Sequence, residues 1–167
     1  PEDRHSRGVV LPFENWENSI LGYHNSDQWK KGFLLNNSKI SLHTEKLLKK
    51  YDVRPNLPNL KTANLSGGNQ QKLVLAREIN SLPKIFLIGQ PTRGVDIGAI
   101  EYIHQHILDM RQAGVAIILV SVELDEIMSL SDQIIVMNNG QIVGKVLGKN
   151  ADERKLGMLM AGINNDT

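Results

Sequence analysis

Cysteine is absent from the 167 residues. That excludes a disulfide framework, a thiolate zinc site and a cysteine nucleophile. Long apolar runs are absent too. The longest, near Val115–Val120, is strand-sized and well short of the roughly 18 residues a membrane-spanning helix needs. Neither charge is in excess: 19 Lys and Arg face 18 Asp and Glu, a net of +1. A near-neutral chain has no large field to hold a phosphate backbone, so no nucleic-acid partner is expected. An initiator methionine is missing. The first ten residues, PEDRHSRGVV, are charged from the start and do not read as a secretory leader. The chain reads as a piece of a longer one.

What is present is ordinary for a globular chain. Hydrophobic residues make up 41% and charged residues 22%, which removes collagen-like, mucin-like and strongly disordered classes. At about 150 residues per domain, the length suits one domain or one with a small appendage.

The first half reads as helical. Residues 1–12 form a loop. A short helix is expected from Phe13 to Tyr23, capped by Asn15, with Trp16, Ile20 and Leu21 on one face. The polar stretch Asn25–Gly32 is a loop. A second helix is expected over Ser38–Tyr51, with Ile40, Leu47 and Leu48 inward and Lys46, Lys49 and Lys50 solvated, its basic end matching the helix dipole. Two prolines in RPNLPN, 54–59, break regular structure.

The second half alternates. A helix over Ser66–Asn80 precedes a strand, Ile85–Ile88. A helix over Ile97–Ala113 precedes a strand, Val115–Val120. A short helix, Glu123–Met128, precedes the strand Gln133–Met137. Such alternation argues a parallel sheet with covered faces. Asn139-Gly140, between QIIVM and QIVGKV, signals a two-residue hairpin, because that turn needs positive φ at both central positions. A helix over Ala151–Ala161 closes the chain.

One segment carries chemistry. In LSGGNQQK, Leu65–Lys72, Ser66 can cap the following helix while Gly67 and Gly68 bring bare backbone N–H groups to its start. A helix N-terminus with glycines and a hydroxyl is ready to receive an anion. Other polar residues invite over-reading. His104 and His106 lie two apart on a helix and cannot form an i, i+4 metal pair. Glu101 and His104 read as surface residues. Glu123, Asp125 and Glu126 read as dipole-favoured acids at a helix start rather than metal ligands. Lys46, Lys49 and Lys50 read as a solvated face.

LSGGNQQK resembles the signature of ATP-binding-cassette (ABC) ATPases, and the resemblance runs along essentially the whole chain. PTRGVD, Pro91–Asp96, resembles the D-loop. Ile85–Ile88 stands where the Walker B strand belongs, and VSVELDEI, Val120–Ile127, where the switch-histidine segment belongs. The opening Pro1-Glu2-Asp3-Arg4 resembles the tail of the Q-loop region, with Glu2 near the Q-loop position. Asn69 followed by Gln70-Gln71-Lys72, and Arg93-Gly94, look like the fused double-cassette subunits that energise import of monosaccharides and nucleosides, while Gln90 in GQPTRGVD, the ELDEI segment and the ending LGMLMAG look most like the purine-nucleoside branch, this chain resembling the later part of the second cassette.

The resemblance implies a fold: an α/β, partial P-loop NTPase with a mostly parallel sheet, a helical subdomain and a C-terminal β-hairpin. Residues 1–61 would be the Q-loop tail and the permease-facing helical subdomain, and 62–167 the signature helix and remaining core. No G-x-x-x-x-G-K-[ST] occurs, so the phosphate loop and its strand are missing. In the family that strand lies between Val115–Val120 and Gln133–Met137. A gap is therefore expected, to be closed, filled by a neighbour or left loose.

It also implies a division of labour. Ser66, Gly67, Gly68, Asn69 and Gln70 would contact ATP held on a partner cassette, and Asp96 would sit at the cassette interface. This chain's own site would be silent. Gly89 replaces the metal-binding Asp, Gln90 the catalytic Glu and Val122 the switch His, so no metal is expected here and no complete catalytic set. ATP and Mg²⁺ belong to the full assembly, with none expected on the isolated chain. The implied partners are the N-terminal cassette of the same subunit, the membrane permease and, indirectly, an extracytoplasmic solute-binding protein. The implied place is the cytoplasmic face of the cell membrane. Two other readings stay open at this stage: a non-catalytic regulatory half-cassette, and a soluble ABC ATPase acting on nucleic acid or ribosomes.

Overall fold

The structure is a computed structural model that describes residues 7–163. The first helix, α1 (Asn15–Ser19), is shorter than expected, and its cap is Glu14 rather than Asn15. The Glu14 N–H donates to Glu17 Oε2 at 2.8 Å, one arm of a capping box. Asn15 is drawn inward instead. It is fully buried, and its Nδ2 donates to the Leu57 carbonyl at 2.9 Å. The expected loop Asn25–Gly32 holds a turn of 3-10 helix, Asp27–Trp29, and β1 (Lys30–Lys31), which forms a small hairpin with β2 (Leu34–Leu35) beyond it. Helix α2 (Asn37–Lys50) follows. Asn36 caps it, accepting from Lys39 N–H, and Ile40, Thr44, Leu47 and Leu48 form its buried face.

The rest alternates as expected: α3 (Gly67–Asn80), β3 (Ile85–Gly89), α4 (Ile97–Gln112), β4 (Ala116–Val120), α5 (Leu124–Leu130), β5 (Gln133–Asn138), β6 (Gln141–Leu147) and α6 (Glu153–Met160). β3 and β4 pair in parallel, from Ile85 opposite Ala116 to Gly89 opposite Val120. β5 and β6 pair antiparallel across Asn139 and Gly140, whose φ values are 48° and 76°. Among the described residues the parallel sheet stops at two strands, and β4 and β5 belong to separate sheets. The expected gap stays open. One face of β3–β4 is covered: Phe86 and Ile88 pack with Ile103, Ile107 and Met110 of α4. On the other, Ile85, Leu87, Ile118 and Val120 are exposed.

Helix α3 ties the two halves together. Leu73 and Ala76 lie in a cluster with Leu47, Leu48, Tyr51, Val53 and Leu65. Leu75, on another face, belongs to the α/β cluster. Buried Arg77 extends the tie, its Nη1 donating to the Gly8 and Asn18 carbonyls at 3.0 and 3.1 Å. At about 1.5–3 kcal/mol per buried aliphatic side chain, this two-sided burial holds the start of α3 in place.

Two polar residues depart from the surface reading. Glu126 is buried and its Oε1 lies 3.1 Å from His104 Nε2, joining α5 to α4. His106 faces elsewhere, its ring 5.1 Å from Tyr51 and 4.5 Å from Tyr102. Among the described residues no three His, Cys, Asp or Glu are grouped to hold a metal, and no helix is long and apolar enough to cross a membrane.

Candidate functional site

The start of α3 is built by Ser66, Gly67, Gly68 and Asn69. Ser66 has extended backbone and caps the helix, its Oγ accepting from Asn69 N–H at 3.4 Å. The same Oγ accepts from Asn69 Nδ2 at 2.9 Å. With its oxygen facing these donors, the Ser66 hydroxyl proton is free to point at an incoming anion. Ser66 is exposed, Gly67 half-buried and Gly68 buried, and helix geometry leaves the first N–H groups of this 14-residue helix without carbonyl partners.

Asn69 is braced from behind: its Oδ1 accepts from Arg54 N–H at 2.8 Å. Gln70 departs from the expected phosphate contact. It is buried, and its amide nitrogen donates inward to the Thr62 and Leu65 carbonyls at 3.2 and 3.1 Å. An amide nitrogen so placed holds the segment below the helix start.

Asp96 caps α4, its Oδ1 accepting from Ala99 N–H at 2.9 Å. Its Oδ2 lies 3.0 Å from the position a Cβ on Gly68 would occupy. A side chain at Gly68 would crowd Asp96, so glycine lets the Pro91–Asp96 turn approach α3 without strain. Gln71 makes the second link. Buried, it donates from Nε2 to the Pro91 carbonyl at 2.9 Å. The motif reading missed Gln71, although it lies inside the same eight residues; its buried face at helical spacing with Leu75 was the available signal.

Gly89, Gln90 and Val122 fall at the C-terminal ends of the parallel strands, where open α/β sheets hold their ligands. Gly89 pairs with Val120, and Gln90 N–H donates to the Val120 carbonyl at 2.8 Å. Gln90 has φ of 50°, left-handed for a residue with a side chain. Val122 is exposed. This strand end presents a hydrogen atom, an amide and an isopropyl group. None offers a carboxylate to a Mg²⁺ ion, and none can take a proton from water. Glu2 lies outside the described residues.

A basic cluster sits beside the signature. Lys72 Nζ is 3.2 Å from both the carbonyl and Oδ2 of Asp52, and 4.5 Å above the Tyr102 ring. Asp52 also accepts from Arg54 Nε at 2.7 Å. That hydrogen bond, with Lys72 alongside, holds the Asp52 carboxyl below the usual carboxylate range despite some desolvation. Tyr102 is pushed up to about 12, by burial first and then by the Asp52 charge.

Comparison with known proteins fits this geometry. No family model matches the chain. The nucleoside import ATP-binding protein NupA of Lactococcus lactis is 45% identical over 165 residues, 98% of this chain and 32% of the relative. The guanosine import ATP-binding protein NupO of Bacillus subtilis is 41% identical over 162 residues, 97% of this chain and 32% of the relative. A ribose import ATP-binding protein, RbsA, of Streptococcus agalactiae is 38% identical over 161 residues, 96% of this chain and again 32% of the relative. The chain thus spans about a third of the length of these curated relatives. Among solved structures, an ATP-binding cassette of an ABC transporter superposes with TM-score 0.71 at 23% identity, over 91% of this chain and 65% of that one. A nucleotide-free cassette gives 0.65 at 21% identity, over 96% and 68%.

Proposed function

The chain belongs to the ATP-binding-cassette family, and from that premise we propose that it is the signature-bearing part of an importer's ATP-binding subunit, of the nucleoside or simple-sugar class. The start of α3 closes over the terminal phosphate of an ATP held by a second cassette of the same subunit. Ser66 donates its hydroxyl, Gly67 and Gly68 their backbone N–H groups, and the helix its positive end. Asn69 orients Ser66, and Asp96 stands at the cassette interface. Residues 1–61 face the membrane permease and 62–167 form the core remainder. The subunit works at the cytoplasmic face of the membrane, and a solute-binding protein acts through the permease.

One observation carries this reading. The anion-receiving helix start is intact and braced from two sides, while the strand end has no carboxylate. Gly89, Gln90 and Val122 do not fit a Mg²⁺ ion or a hydrolytic water, so no step is assigned to them. The base and the metal ligand belong to the partner cassette, giving one working and one silent site per subunit.

The test is Ser66→Arg in the full subunit with its permease. The guanidinium fills the space for the terminal phosphate, and ATP turnover falls at least a hundredfold, the scale of losing an oxyanion donor. Unchanged turnover rejects the signature role and returns the chain to a regulatory reading. The isolated chain is expected to give no saturable Mg-ATP isotherm by calorimetry, because nothing in it cradles the β- and γ-phosphates.

A further inference from the structure

The β1–β2 hairpin has no part in the site described above. Its turn is Gly32-Phe33, with Gly32 at φ 67°, between Lys31 and Leu34 in register. Phe33 is fully exposed, Leu34 is 76% exposed and Leu35 is exposed as well. Three consecutive large apolar residues in water are costly unless something covers them. Lys30 and Lys31 flank them on the facing strand, both exposed, and Lys39 follows at the start of α2. The acid beside them, Asp27, pairs with Lys30 at 3.3 Å with its own side chain fully exposed.

The base of the hairpin is fixed. Trp29 is buried with Ile20 and Ile40, its ring 4.6 Å from His43, and Asn36 N–H donates to the Trp29 carbonyl at 2.8 Å. A rigid base carries an apolar tip flanked by lysines. The tip projects and is no groove, so a partner that deforms around it fits better than a shaped protein pocket.

We propose that this hairpin is a membrane-surface contact: Phe33 and Leu34 enter the headgroup–acyl boundary while Lys30 and Lys31 meet anionic headgroups. The contact does not rest on the nucleotide reading. The hairpin lies within residues 1–61, proposed above to face the permease, and its tip would reach lipid beside the permease, adding to that docking.

The test uses the full chain and vesicles of phosphatidylcholine, alone or with about a third phosphatidylglycerol. Sedimentation is expected to show at least tenfold stronger partition onto the anionic vesicles. The K30Q/K31Q variant should lose about tenfold or more of it, at about 1 kcal/mol per lysine. The F33S/L34S variant should lose at least as much and fold unchanged, since neither side chain packs into a core cluster. The open β3–β4 face, with Leu87 and Ile118, could also adhere to lipid, so F33W supplies a local readout. Measured as the difference from the parent chain, its added indole emission should shift to the blue on anionic vesicles and be quenched by brominated acyl chains. Partition without charge preference overturns the proposal, and so does water-like emission from F33W while the chain sediments. Photo-crosslinking from position 33 to permease rather than lipid, in membranes holding the complete importer, overturns it too.

Discussion

Asp96 stands directly behind Gly68: its Oδ2 lies 3.0 Å from the place a side-chain carbon would take there, with Ala99 Cβ at 3.2 Å. Gly68→Ala therefore forces the Pro91–Asp96 turn away from α3. The expected net loss is at most about 2 kcal/mol, the overpacking cost less the roughly 1 kcal/mol that alanine gains over glycine in a helix, read as a lower urea midpoint at constant slope. Asp96→Ala in the same chain should recover only part of it, because the Ala99 contact persists. Gly89→Ala is the control. A Cβ there meets nothing within 4 Å, so stability should not fall. A similar gain at both positions would mean that the freedom glycine gives the unfolded chain, not the Asp96 contact, decides the effect.

Gln71 should matter more for the position of the turn than for the helix that carries it. Gln71→Ala leaves the Pro91 carbonyl without its 2.9 Å donor. A loss of about 1–3 kcal/mol is expected for a buried acceptor left unpaired. Hydrogen exchange locates the damage. Arg93 N–H, which donates to the Gln90 carbonyl at 3.2 Å, should exchange faster, while amides in the middle of α3 stay protected. Faster exchange across all of α3 instead would show that Gln71 supports the helix rather than the turn.

A third expectation concerns Asn18, fully buried in the helical half. Its Oδ1 accepts from Val10 N–H at 2.8 Å, and its Nδ2 donates to the Val10 carbonyl at 3.0 Å and to Thr62 Oγ1 at 2.8 Å. Thr62 in turn donates to Asn15 Oδ1 at 2.9 Å. Asn18→Leu strands several partners at once. About 2–4 kcal/mol should be lost in chemical denaturation, beyond the cost of one neutral hydrogen bond. Asn18→Asp keeps the shape but sets a buried carboxylate against the Val10 carbonyl, so at neutral pH it should lose at least as much. A loss under about 1 kcal/mol for the leucine would mean water replaces the network.

These three cases mark what the residues reveal in order and what they conceal. Elements with local punctuation are legible. Asn36, Ser66 and Asp96 cap α2, α3 and α4 because a short polar side chain before an apolar rhythm decides the matter within one turn. Asn139-Gly140 decides its hairpin equally locally. At α1 two neighbours, Glu14 and Asn15, both offer oxygens, and the choice is settled by Leu57 and Thr62, more than forty residues on. Gln70 turns inward for the same kind of reason, since the carbonyls it serves belong to the turn beneath it. His104 and Glu126 lie 22 residues apart and meet only because α4 packs on α5. The motif order singles out the start of α3; which polar side chains face outward there is a tertiary fact.

Acid should weaken the fold through histidine. Burial lowers the pKa of His43, with Lys46 adding to it. Burial also lowers that of His106, with Lys50 and Lys72 adding and Asp109 opposing. The unfolded chain takes up these protons near pH 6.5 and the folded chain only at lower pH. Stability is therefore complete above about 6.5 and falls as the pH drops below it. His106→Phe keeps a ring beside Tyr51 and Tyr102 and removes a buried Nε2 that has no partner. The variant should show a shallower decline of unfolding free energy between neutral pH and pH 5. An unchanged slope would assign the acid sensitivity to His43 and the carboxylates.

The last expectation turns on Gln90. A side chain at φ of 50° costs about 1 kcal/mol, and strain of this kind gathers where a backbone is held for function. Here the held side chain is an amide, so on the reading proposed above the geometry of a catalytic position persists without its charge. Gln90→Gly relieves the strain and should raise stability by up to about 1 kcal/mol, less the entropy that glycine returns to the unfolded chain. Gln90→Glu keeps the shape. In the full subunit neither should lower ATP turnover by more than about twofold, if this strand end is silent as proposed. A large loss with Gln90→Gly that Gln90→Glu does not share would show that the strained turn itself works in the cycle, by holding the adjoining Pro91–Asp96 turn against the partner cassette.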